Sequence, residues 1–205
     1  MNHPRYLWET PSQTAGPYVH IGLAPGAAGL SVHPRSLGES IAGPDVPGQR
    51  IRVEGCVSDG MGAPLRDVLI EVWQADAAGR YAHPEGGGPV AEGFQGWGRI
   101  VPDLATGEWA FGTIKPGATP GRHGGLQAPH ISFWLVARGI NLGLQTRMYF
   151  GDEAEANAGD PVLGLVEAEH RRATLVSQLS RRAGTLVHRF DIRIQGRDET
   201  VFFDI

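Results

Sequence analysis

The chain has 205 residues, with 18 basic and 22 acidic side chains and a formal charge of −4. That length suits one domain with a core covered on both sides, and so mild a charge leaves no footprint for nucleic acid or an anionic membrane. A single cysteine, Cys56, excludes an internal disulfide and fits a reducing cytoplasm, and the absence of a basic segment followed by a long apolar run argues against a signal peptide or a membrane span.

Taken in order, residues 1–50 read as an extended, turn-rich arm; the stretch LAPGAAGLSVHPRSLGES is irregular. Strands are predicted at IRVEGCV (51–57) and VLIEVWQ (68–74), with the turn SDGMGAPLRD between them. Further strands are expected at 107–114, 130–137, 146–150, 186–194 and 200–204. Trp73 and Trp134 sit on these strand patterns and are expected in the core. Residues 153–182 break the alternation and read as one or two short helices. Asp160 would cap the helix that Pro161 opens, and Leu175, Val176 and Leu179 would form the apolar stripe behind Glu169, Arg171 and Arg172. The count and spacing of short segments, punctuated by 30 glycines and 15 prolines, favour a mainly β, single-domain β-sandwich over residues 51–205.

Common catalytic motifs are missing: there is no G-x-S-x-G elbow, P-loop, C-x-x-C or H-E-x-x-H. The glycine run at 86–88 has neither a strand before it nor a helix after it, so it is no phosphate cradle. His3, His20, His33, His123, His170 and His188 have no partner at a ligating interval and are expected at the surface or in turns. His83 lies two places from Tyr81 and could share its face, but HPEGG opens a loop, which favours a turn histidine. In QAPHISFW (127–134), His130 and Ser132 share one strand face at an i, i+2 spacing, where paired histidines would clamp a metal ion. Here only one of the two positions can ligate.

Four segments carry a resemblance: VLIEVWQADAAGRYAH (68–83), GEWAFGTIKPG (107–117), APHISFWLVARGIN (128–141) and TRMYFGDE (146–153). In this order they resemble the intradiol ring-cleaving dioxygenases. The ends TPSQTAGPYVHIGL (10–23) and FDIRIQGRDETVFFDI (190–205) resemble the alpha chains of the members that act on protocatechuate, and only the loops near 24–48 and 84–96 go unmatched.

The resemblance implies a non-haem Fe(III) centre held by two tyrosinates and two histidines in the catalytic chain. The matching positions here are Tyr81, Thr119, His130 and Ser132, so two ligands of four remain and metal binding by this chain is not expected. Gln127 stands where catalytic chains have an arginine, and Arg147, where they commonly have glutamine, reads as structural. A homologous beta chain would then hold Fe(III), and the site would lie in the cleft between the two chains. There protocatechuate and O2 would give 3-carboxy-cis,cis-muconate, a step of the beta-ketoadipate route of aromatic catabolism.

This chain would shape the pocket. Arg138 is the candidate partner for the substrate carboxylate, against the ordinary alternative of a surface pair with a carboxylate such as Asp152. Thr14, Gly16 and Pro17 would either form a rigid wall against the aromatic ring or pack on the partner. The rival readings are a free-standing ring-cleaving enzyme with an unusual iron site and a non-enzymatic scaffold or ligand-binding sandwich derived from a dioxygenase.

Overall fold

The architecture, taken from a computed structural model, is described for residues 8–121 and 124–204. His3 and His123 lie outside the described residues. The described residues form eleven strands: β1 (Arg50–Ser58), β2 (Leu69–Gln74), β3 (Trp97–Ile100), β4 (Glu108–Ile114), β5 (Thr119–Pro120), β6 (Leu126–Gln127), β7 (His130–Val136), β8 (Leu144–Tyr149), β9 (Gln178–Arg182), β10 (Thr185–Arg189) and β11 (Ile192–Arg193). Three short helices, α1 (Tyr18–Leu23), α2 (Ala154–Ala158) and α3 (Glu169–Ala173), and one 3-10 turn, Leu163–Leu165, complete it.

Two sheets face each other. One runs β11-β1-β10-β9 with β4 on β1; the other runs β3-β2-β7-β8. Alternation along each strand aims one set of side chains between the sheets: Ile51, Val53 and Val57 from β1, Ile70 and Val72 from β2, and Ile131, Phe133 and Leu135 from β7. Phe133 anchors this core, with ring centroids 5.6 Å from Trp109 and 5.3 Å from Phe190. The β-sandwich expected from the sequence is the fold found.

Several expectations need correcting. Trp73 and Trp134 point away from the core, to the outer face of the second sheet, because their neighbours Val72, Phe133 and Leu135 take the inward positions. The single strand expected over 186–194 is two strands, both parallel to β1 and separated at Phe190 and Asp191. The strand expected at 200–204 is reduced to one bridge, between Gln145 and Phe203. Residues 178–182 form the exposed strand β9, which turns into β10 through Ala183 and Gly184 at φ 47° and 84°, the left-handed pair of a two-residue hairpin.

Leu179 is therefore 42% exposed on a strand, whereas Leu175 is buried as expected. Asp160 does cap a turn, but the 3-10 turn, by accepting from the Val162 and Leu163 amides. The arm is not wholly extended, since α1 follows directly on Pro17. Its end packs into the body, with Ile41 and Val46 buried. His188 is fully buried between Ser177 Oγ, 3.2 Å from its Nδ1, and the edge of Phe150, and is no surface residue.

Candidate functional site

Strand β7 organises two separate places, one at each end. At its start His130 is 2% exposed, and its Nδ1 hydrogen donates to the Ala128 carbonyl at 2.8 Å. That bond fixes the tautomer and leaves Nε2 as an acceptor for the Tyr81 hydroxyl at 3.3 Å. Burial, reinforced by the Arg147 cation, pushes His130 down to about 4, so the imidazole is neutral at pH 7. Burial likewise raises the Tyr81 phenol above its ordinary value, keeping it protonated. Tyr81 stacks on Trp73 with centroids 5.9 Å apart and planes within 1°.

A tight loop holds Tyr81 in place. Its amide donates to the Gly86 carbonyl at 3.1 Å, and a Cβ on Gly86 would lie 2.1 Å from the Tyr81 carbonyl oxygen, so only glycine closes the loop. Inside it, His83 Nδ1 accepts from the Glu85 amide at 3.2 Å, as a turn histidine does.

Thr119 is buried beside Tyr81, whose phenol its hydroxyl approaches. Ser132 follows His130 on the same face of β7 and registers opposite Trp73 on one side and Arg147 on the other. It opens onto an outer-face groove of about 440 Å³ with Trp73, Trp97 and Trp134. Tyr81, Thr119 and His130 thus converge, and Ser132 borders them.

Beyond the other end of β7 lies a hollow of about 700 Å³, lined by Gly16, Pro17, His20, Asp67, Arg138 and Ile140 among others. Thr14 ties the arm to it. Its Oγ1 accepts from the Gly139 amide at 2.7 Å and donates to the Ala137 carbonyl at 3.4 Å. The four residues singled out from sequence, Thr14, Gly16, Pro17 and Arg138, therefore gather at one place.

Arg138 is 79% exposed, and its Nε sits 3.2 Å from Asp67. Asp152, the carboxylate weighed from sequence, pairs with Lys115 instead. His20 was missed as a lining residue. It reaches the hollow because α1 carries it one turn past Pro17, a spacing that an extended arm does not suggest.

The family described as "Dioxygenase" matches residues 31–196. Over 97% of its length and 97% of the relative's, the chain is 50% identical to a protein named protocatechuate 3,4-dioxygenase alpha chain from Pseudomonas putida. The chain belongs to the intradiol ring-cleaving dioxygenase family. A family member from Burkholderia cepacia, named protocatechuate 3,4-dioxygenase beta chain, is 43% identical over 75% of this chain and 67% of its own. Among solved structures, the dioxygenase domain of a carbohydrate-binding fusion from Streptomyces sp. SirexAA-E shares the fold. Its TM-score is 0.56 at 24% identity, over 91% of this chain and 99% of that one.

The non-haem iron implied by family membership does not fit the residues this chain offers. Tyr81 and His130 are hydrogen-bonded to each other, and the other two positions carry alcohols that neither ionise near neutral pH nor supply an imidazole lone pair.

Proposed function

We propose that this chain is the iron-free alpha subunit of a two-chain, cytoplasmic protocatechuate 3,4-dioxygenase, in which a homologous beta subunit holds Fe(III). One observation carries this reading: Arg138 and the arm lie at the opposite end of β7 from Tyr81 and His130. The seven residues of β7 span roughly 23 Å, so the hollow cannot complete a site with the ligand remnants of its own chain. Among the described residues, Arg138 makes an exposed ion pair with Asp67, which contributes little and can be exchanged for a substrate carboxylate. A Cβ on Gly16 would meet nothing within 4 Å in this chain, so the space left there is available to a ligand or partner.

The arm supports the same assembly. Trp8, Tyr18, Val32 and Leu37 are all exposed, and residues 1–50 would bury them against the beta subunit. In the joint site, the iron supplies activation of the catecholate towards O2. The work of this chain is positional: Arg138 pairs with the ring carboxylate, Thr14 fixes the arm, and Pro17 with Ile140 excludes water from one face of the ring.

The test is co-expression with a homologue carrying all four ligand types, followed by metal analysis and oxygen uptake with protocatechuate. The complex should form, and Arg138→Ala should raise KM roughly 10- to 100-fold, as expected for loss of a charge-assisted pair, with iron content unchanged. A chain that alone binds iron one-to-one and consumes oxygen, or an Arg138→Ala complex with unaltered KM, would overturn the reading.

A further inference from the structure

Arg138 joins a fixed backbone to a movable side chain. The Ala137 carbonyl accepts from the Ile140 amide at 3.2 Å, which closes a turn with Arg138 and Gly139 at its corners. Gly139 has φ 88°, the left-handed value that the second corner of such a turn requires. Thr14 Oγ1 bonds the Ala137 carbonyl at 3.4 Å and the Gly139 amide at 2.7 Å, so the arm clamps the chain on both sides of Arg138. The side chain itself is 79% exposed, and Asp67 Oδ2 lies 3.2 Å from its Nε. Asp67 immediately precedes the fully buried Val68 at the entrance to β2, which anchors its backbone while its carboxylate lines the hollow. Asp59, the second carboxylate of that lining, is engaged by its own turn, where Oδ1 accepts from the Met61 and Ala63 amides at 2.9 Å each.

We propose that Asp67 is a specificity-determining residue of the hollow: it competes with a substrate carboxylate for Arg138 and so narrows the preference for acidic over neutral catechols. The inference rests on the subunit role proposed for this chain and deepens it. A guanidinium offers a carboxylate two bidentate edges, one along Nε and one across its two terminal nitrogens. Asp67 stands at the Nε edge. An incoming carboxylate either displaces Asp67 from that edge or takes the other edge with Asp67 as a like charge on the far side of the same cation. Both geometries give the same sign, since Asp67 opposes the binding of an anion in each. A catechol without a carboxylate meets an arginine that is already neutralised, and Asp67 costs it nothing.

The experiment uses the complex with the iron-bearing homologue under anaerobic conditions, so that ligands bind without turnover, at low ionic strength and pH 7. Dissociation constants for protocatechuate and for 4-methylcatechol, which keeps the ring and its hydroxyls but has no charge, are measured by isothermal titration calorimetry. Asp67→Asn should tighten protocatechuate roughly 2- to 5-fold, the range of an exposed ion pair, and leave 4-methylcatechol unaltered. The charge-preserving Asp67→Glu should stay close to wild type with both ligands. Arg138→Ala, measured alongside, should weaken protocatechuate alone. If Arg138→Ala leaves protocatechuate binding unaltered, the subunit reading falls. If Arg138→Ala weakens it while Asp67→Asn leaves it unaltered, weakens it or tightens both ligands equally, or if Asp67→Glu tightens protocatechuate as Asp67→Asn does, this inference alone is overturned.

Discussion

Asp160 shows how one residue holds together the segment that roofs the start of β7. Its Oδ1 accepts from the Tyr149 hydroxyl and from the Val162 and Leu163 amides, and its Oδ2 accepts from the Ala128 amide at 2.7 Å. The carboxylate is 2% exposed, so each of these donors would be stranded without it. Asp160→Ala should cost about 3–5 kcal/mol, the range for breaking a buried charged network, and Asp160→Asn less, since the amide oxygen can still serve the turn while its NH2 confronts the Ala128 amide. Urea unfolding of the two variants checks this; equal stability for wild type and Asp160→Ala would be the contrary result. The cap itself was legible as Asp before Pro161, and so was each position matching a ligand. The contact of Asp160 with Tyr149 was not legible, because Asp160 reaches back to β8 from the segment that follows it, and two residues 11 positions apart along the chain give no local sign of facing each other.

Among the elements, β1 governs the first sheet by accepting three strands, and the junction between β10 and β11 depends on Gly55. The Phe190 amide donates to the Glu54 carbonyl at 2.8 Å, and the Cys56 amide donates to Asp191 Oδ1 at 3.0 Å, so the chain jogs around Gly55 between its two short pairings. A Cβ there would stand 2.0 Å from the Phe190 carbonyl oxygen and 2.8 Å from the Trp109 ring, and neither backbone nor buried indole can yield. Gly55→Ala should therefore destabilise by about 3 kcal/mol or more, seen as a lower urea midpoint with an unchanged slope. A midpoint equal to wild type would show that the two strands can separate freely. This jog is why 186–194 reads as one strand in sequence: Phe190 continues the apolar pattern while its backbone departs from it. Strand β9 was illegible for another reason. Both of its faces are exposed, so Gln178–Arg182 lacks the alternation by which a strand is recognised, and its charged residues suit a sheet edge. Trp73 and Trp134 were misplaced because residue type gives burial tendency, whereas the side of the sheet is set by parity with Val72 and Phe133.

Among the described residues two neutral imidazoles, His130 and His188, are buried, and the response of the molecule to acid follows from that. His130 is held near 4 first by burial and then by Arg147, and burial lowers His188 as well. An unfolded histidine titrates near its ordinary value of about 6.5. Between that value and about 4, the unfolded chain binds a proton that folded His130 refuses, so stability falls as pH drops through this window. Below about 4 both states are protonated and the His130 share stops growing. The full gap corresponds to on the order of 3 kcal/mol, most of it already lost at pH 4.5. His130→Gln, which can still bond Tyr81 but does not titrate here, should reduce the loss of unfolding free energy between pH 7 and pH 4.5 by about 2–3 kcal/mol. Urea unfolding at the two pH values is the measurement. If His130→Gln loses as much stability on acidification as wild type, the acid sensitivity resides elsewhere, with His188 the next group to replace, since it too must gain a proton on unfolding and is packed against Phe150 and Ser177.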